Sequence, residues 1–248
     1  HERVKHMACN SWIDTQIGRV LDAVETYVPD DTVVIFTSDH GDQNGSHGLR
    51  SKGPMMYEES VRVPLIATGP GFQESSASRE LRSHLDFFPT VLDCLEIPVS
   101  DGYPGVSLRS SVRDREAVFV EFNRFGLYHE GMGEFYPVRA AVTDQHKLVV
   151  NLFDTDELYD LSEQPSETMN RIDDPRLAKT RETLLSAILR NQREVSDPLR
   201  GGVWSDRYWR SDRQGRRAYF FEPVTERAPI PAWTRQPLGT IASNEEQS

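Results

Sequence analysis

Through the first 28 positions apolar residues recur mostly three, four or seven apart, with Val4, Met7, Trp12, Ile13, Val20 and Leu21 marking one helical stripe. Pro29 and two aspartates stop it. Residues 32–37 (TVVIFT) form a β-branched run with almost no polar alternation, the pattern of a strand covered on both faces in a parallel sheet. A loop rich in Gly, Asp, Asn and His follows over 38–53, then a helical turn near 55–60 and a second strand near 63–68, ended by Gly69, Pro70 and Gly71. Helical spacing returns over 83–96 through Leu85, Phe88, Val91, Leu92 and Leu95, with Ser83 or Asp86 placed to satisfy the orphan amides at its start. A helix, a turn and a buried strand in succession are the grammar of an α/β fold.

Beyond a loop at 99–110 the pattern changes to strands: 117–122, 138–142 and 147–152, the last two joined by a hairpin-length connection at 143–146. Such an order predicts a small antiparallel sheet, and Leu177, Leu184, Leu185, Ile188 and Leu189 predict a helix that covers one face of it. The boundaries expected are therefore 1–110 for an α/β part, 111–195 for an α+β subdomain and 196–248 for an extended tail. That tail holds Trp204, Trp209 and Trp233 among many arginines, too aromatic for a simple disordered segment. It is expected to pack its aromatics on the body or on a neighbouring subunit, which leaves a homo-oligomer open.

Composition narrows the function. No apolar stretch approaches the length of a membrane span. With 39 acidic against 28 basic residues the net charge is -11, which repels a phosphate backbone, so nucleic acid is not an expected partner. Cys9 and Cys94 allow at most one bridge and no zinc spacing, and both read as core cysteines on helices. The chain starts at His1, directly in a helical pattern with no secretory leader, and is expected to be a fragment or a processed chain; its compartment is unread.

Candidate chemistry is densest at residues 38–42 (Ser-Asp-His-Gly-Asp), directly after the first strand, where loops of an open sheet converge on ligands. Asp39 and His40 offer a carboxylate oxygen and an imidazole nitrogen, which suit a divalent cation only if further ligands arrive; a capped loop is the plainer reading. Lys52 stands in a glycine-rich loop from which it can hold an anionic group as a point charge, or be solvated. His47 is a substrate contact or a hydrogen-bonded loop residue. Between 121 and 139, Asn123, Arg124, His129 and Arg139 interleave with aromatics, a composition suited to a sugar or anionic pocket or to a loop packed on the sheet.

Taken as one string, residues 32–71 (TVVIFTSDHGDQNGSHGLRSKGPMMYEESVRVPLIATGPG) closely resemble the sulfatase branch of the alkaline phosphatase superfamily. Weaker echoes follow at 86–92 (DFFPTVL) and 156–165 (DELYDLSEQP), and the resemblance covers about 2–191. It implies an alkaline-phosphatase-like, mostly parallel α/β sheet with flanking helices for the first part. It also implies Asp39 and His40 as two ligands of one divalent cation, and Lys52 as the lysine that contacts sulfate oxygens. Many sulfatases carry Asn where this chain has His40, and calcium is usual there; calcium is expected first here, with magnesium, manganese or zinc open. Glu59 and Arg62 match the family as a pair bracing the loop.

Sulfatases attack sulfur with a formylglycine made from Cys or Ser in Cys/Ser-x-Pro/Ala-x-Arg, and neither Cys9 nor Cys94 lies in that motif. The family's first-strand aspartate pair and mid-chain histidine are absent too. The resemblance therefore implies a C-terminal half, inactive without the N-terminal half that carries the formylglycine. The whole would be a sulfuric ester hydrolase acting on a sulfated small molecule or glycan, most simply a carbohydrate sulfate, with Lys52, His47, His129 and Arg139 against the substrate. Phosphonate monoester or phosphodiester hydrolysis, as in sister families, and a non-catalytic fragment remain the alternatives.

Overall fold

Two sheets organise the chain, for which the computed structural model describes residues 2–73, 75–112, 115–124 and 135–210. Helix α1 (Glu2–Tyr27) has the expected extent, yet most of its apolar residues are exposed: Met7 is 70% and Trp12 66% exposed. Cys9 lies exposed on it, and Cys94 is only half-buried, so neither is the core cysteine expected; both are free thiols.

Strand β1 (Val34–Thr37) pairs with β2 (Leu65–Thr68), with Val34 opposite Thr68 and Thr37 opposite Leu65. This pairing is antiparallel, which corrects the expectation of a parallel neighbour here. The chain between them holds only one turn of α-helix, α2 (Glu58–Val61), and no crossover helix of the kind that joins parallel strands. Nor is β1 covered on both faces, since Phe36 and, across the pair, Ile66 are exposed.

Helix α3 (Phe87–Cys94) is entered through a 3₁₀ turn, and both expected caps act there. The Ser83 hydroxyl accepts from the Leu85 amide while Asp86 Oδ2 accepts from the Ser83 amide at 3.1 Å. Asp86 is fully buried and also takes both Arg115 guanidinium nitrogens at 2.8 Å, which ties the start of α3 to the segment leading into the second sheet.

Strands β3 (Val118–Arg124), β4 (Phe135–Val142), β5 (His146–Asn151) and β6 (Glu157–Asp160) form that second sheet in sequence order, all antiparallel. The predicted hairpin closes where the Thr143 amide donates to the His146 carbonyl at 2.8 Å. Period-two alternation gives the sheet two buried faces. Ala141, Leu148 and Val150 face α4 (Ala178–Glu194), whose Leu184, Leu185 and Ile188 point at them, with Trp204 completing that core. The aromatics at 204 and 209 thus pack on the chain's own body: Trp204 Nε1 donates to Leu199 O and Trp209 Nε1 to Asp156 Oδ2. On the opposite face Val138, Ala140 and Val149 pack against Met56, just ahead of α2. That contact seats the loop following β1 upon the second sheet.

Candidate functional site

Where β1 ends, the Ser38 hydroxyl donates to the His40 carbonyl at 2.9 Å and the His40 amide donates to Asp39 Oδ1 at 2.9 Å, folding the chain back on itself. The bend turns both side chains the same way, with Asp39 Oδ2 3.4 Å from His40 Nε2. His40 Nδ1 lies 2.8 Å from the Gly41 carbonyl, to which its N–H donates, so that Nε2 is the ring nitrogen facing the carboxylate. The bond from the His40 amide, and then the imidazole beside it, hold the Asp39 carboxyl below the usual range and so ionised at neutral pH. Asp39 Oδ2 and His40 Nε2 thus converge in an exposed position.

Gly41 is required by the next contact. Its amide donates to the Ser60 carbonyl at 2.9 Å, and a Cβ there would lie 1.8 Å from the Glu59 carbonyl oxygen. Buried Gln43 adds a second tie, its Nε2 donating to Ser60 Oγ at 2.7 Å. The loop carrying Asp39 and His40 is therefore fastened along α2.

Exposed Lys52 lines the same cleft as Asp39 and His40, a broad groove of about 1800 Å³ lined also by residues of β1, β2 and β3, among them Glu121 and Phe122. His47 sits elsewhere in the loop at φ 53°, its ring stacked on Tyr57 at 3.7 Å and Nε2 3.6 Å from Glu59 Oε2. Arg62 pairs with Glu58 at 3.7 Å, one helical turn back, which corrects the expected Glu59–Arg62 brace.

Arg139 is buried on the α4 side of the sheet. Its Nε and Nη2 donate to Asp197 at 2.7 and 3.0 Å, its Nη1 donates to the Phe122 and Val138 carbonyls, and the guanidinium lies 5.1 Å from the Trp204 ring centre. It is an internal brace and not the substrate contact expected from its neighbours in sequence. His129 lies outside the described residues. Among the described residues no three His, Cys, Asp or Glu converge as a complete metal site. Sequence reasoning missed Lys147 and Glu167, which hold α2 from the second sheet; a lysine in a run of buried residues was the available signal.

Residues 2–97 match the Sulfatase family. The chain is 41% identical over 218 residues to the uncharacterized sulfatase YidJ of Escherichia coli, covering 88% of this chain and 44% of that protein. It resembles the structure of BT4656 in complex with its substrate D-glucosamine-2-N,6-O-disulfate at a TM-score of 0.66 and 28% identity, over 75% of this chain and 39% of the other. The phosphonate monoester hydrolase of Agrobacterium radiobacter superposes at 0.61 with 26% identity, over 73% and 39%. The chain thus spans less than half the length of these relatives. Its fold class is the α/β class of its alkaline-phosphatase-like neighbours, within which the antiparallel β1–β2 pair is a local feature. From the family match and the close similarity over most of its length, the chain belongs to the sulfatase family of the alkaline phosphatase superfamily.

Proposed function

We propose that this chain is the C-terminal half of a metal-dependent sulfatase that hydrolyses sulfate esters of a sulfated carbohydrate, with Asp39 and His40 as metal ligands and Lys52 as the anion-binding charge. The observation that carries the reading is the convergence of Asp39 Oδ2 and His40 Nε2 at 3.4 Å on the cleft that Lys52 also lines. Two acceptors at that separation suit shared coordination at about 2.0–2.6 Å per ligand. The donor set fits a divalent cation as part of a site whose other ligands come from outside the 248 residues. One carboxylate and one imidazole admit calcium, magnesium, manganese or zinc.

A bound cation would supply charge to a sulfate oxygen. Asp39 and His40 would hold it at the end of β1, with Gly41 keeping the imidazole tautomer fixed. Lys52 would offset negative charge on the transferring group from across the loop. Neither Cys9 nor Cys94 has the sequence context for formylglycine, so the nucleophile is assigned to the other half. The division into an α/β part over 1–110, an α+β subdomain over 111–195 and a tail from 196 is proposed on the same reading.

A carbohydrate sulfate is supported by the neighbour solved with D-glucosamine-2-N,6-O-disulfate. The phosphonate monoester hydrolase neighbour favours a second reading, phosphonate or phosphodiester hydrolysis at the same residues. Assaying the polypeptide that contains this chain with an aryl sulfate and an aryl phosphonate, each with and without chelator, separates them. Chelator-sensitive turnover of the sulfate ester is expected; preference for the phosphonate establishes the second reading, and turnover insensitive to Asp39→Ala and His40→Ala refutes the metal assignment.

A further inference from the structure

Lys147 is a lysine with no exposed surface, in a strand whose central residues, Leu148, Val149 and Val150, are buried aliphatics. It lies on β5 on the same face as Val149, toward Met56 and α2, and away from α4. Its ammonium group donates to Met56 O at 2.9 Å and to Glu58 Oε1 at 2.5 Å, and it lies 2.7 Å from Glu167 Oε1 in an ion pair. Glu167 is itself fully buried in the segment after β6, and its other oxygen accepts from the Glu58 amide at 2.7 Å. One carboxylate therefore grips both the lysine and the first amide of α2.

The far side of α2 is fastened to the candidate site. Gly41 donates to the Ser60 carbonyl, Gln43 Nε2 donates to Ser60 Oγ, and Lys52 lies four residues before Met56 on the same run of chain. A single turn of helix has little stability of its own. Its position is therefore set by what holds each side: Lys147 and Glu167 from the second sheet, Gly41 and Gln43 from the loop.

We propose that Lys147, clamped between Glu58 and Glu167, is a positioning residue through which the C-terminal sheet fixes the loop bearing Asp39, His40 and Lys52. The functional meaning of that loop rests on the sulfatase reading; the mechanical link does not. Replacing Lys147 leaves the buried Glu167 carboxylate and the partly exposed Glu58 carboxylate without their shared cation, which frees α2 from the sheet. Burial already raises the Glu167 carboxyl, with Lys147 opposing it, in keeping with one ammonium offsetting two acids.

Amide hydrogen exchange on the 248-residue chain, residue by residue, tests the link without requiring turnover. With Lys147→Met, the amides of Gly41, Ser60, Val61 and Arg62 are expected to exchange on the order of tenfold faster or more, while the β4–β5 ladder keeps its protection, since local opening can be far less costly than global unfolding. Glu167→Gln, which keeps an oxygen for the Glu58 amide but removes the charge, is expected to loosen the same amides less. It also decides the matter by that readout if Lys147→Met does not fold. Unchanged exchange at Gly41 and Ser60, or equal acceleration in α2 and the β4–β5 ladder, overturns the proposal, the second outcome making Lys147 a contributor to general stability only. Failure of the sulfate assay leaves this exchange pattern unaffected, so the two readings fail separately.

Discussion

Arg139 and Asp197 meet in a two-point ion pair inside the second sheet's core, at 2.7 and 3.0 Å, with less than a tenth of either residue exposed. The pair joins β4 to the segment that leaves α4, and Gln192 and the Leu199 amide complete the carboxylate's partners. Truncating one member leaves the other charge buried without compensation, a loss of about 3–5 kcal/mol. Asp197→Ala is expected to destabilise the chain on that scale in urea denaturation followed by tryptophan fluorescence, because Trp204 stacks over the same guanidinium. A midpoint within error of wild type would show that the pair contributes nothing net.

Acid should act through the same kind of group. Burial alone would raise the carboxyls of Asp197 and Asp86, but the guanidinium and amide bonds each accepts outweigh it and hold both below their ordinary value of 3.8. A carboxyl depressed in the folded state contributes stability that is present above its unfolded value and lost as pH falls through the folded one. Stability is therefore expected to decline from about pH 4 downward, and Asp86→Asn should flatten that decline while lowering stability at pH 7. A pH titration of the urea midpoint checks both; an acid limb equally steep in Asp86→Asn would contradict the assignment.

What the chain discloses before folding is uneven for physical reasons. Helices at 2–27 and 178–194, the 143–146 hairpin and the aromatic docking of 204 and 209 follow from period, turn length and composition. Strand β6 was read only as part of a motif: four residues with two central buried positions between acids give neither alternation nor a run. The antiparallel β1–β2 pair is a relation across 28 residues that local pattern does not encode. At the candidate site, the closeness of Asp39 and His40 is legible from their adjacency in sequence, because the bend after β1 is made by neighbouring residues. Arg139 was misread and Lys147 missed for one reason: their partners, Asp197 and Glu167, come from segments far along the chain.

Gly41→Ala places a methyl against backbone, where no side chain can swing aside: 1.8 Å from the Glu59 carbonyl oxygen and 2.9 Å from its carbon. Relief requires the loop to move off α2, at a cost of about 1–3 kcal/mol. Expected are a lower denaturation midpoint and faster exchange of the Gly41 amide, whose acceptor Ser60 O is displaced. Wild-type stability together with wild-type exchange would mean that the loop is not fastened there.

Lys52 faces the cleft with its charge exposed, so its loss should leave the fold intact. In an active polypeptide containing this chain, Lys52→Ala is expected to lower kcat and kcat/KM together by on the order of 10²-fold, because charge stabilisation concentrated in the transition state acts on both. A rise in KM alone would make Lys52 a ground-state binding group.

The 248-residue chain by itself is expected to associate or to bind apolar dyes. Trp12 and Met7 of α1, Phe88 and Val91 of α3, and Ile66 of β2 are each about half exposed or more, far beyond the scattered single apolar residues of an ordinary surface. Among the described residues β1 has β2 as its one strand partner, so its other edge also offers unpaired amides and carbonyls to another chain. Sedimentation at several concentrations, with dye fluorescence alongside, reads both effects. Trp12→Glu and Phe88→Glu should reduce association without changing the ellipticity, since neither side chain belongs to either buried core. If the chain sediments as a monomer at every concentration and leaves the dye dark, these faces are covered by contacts within the chain, and the case that they await another polypeptide segment falls.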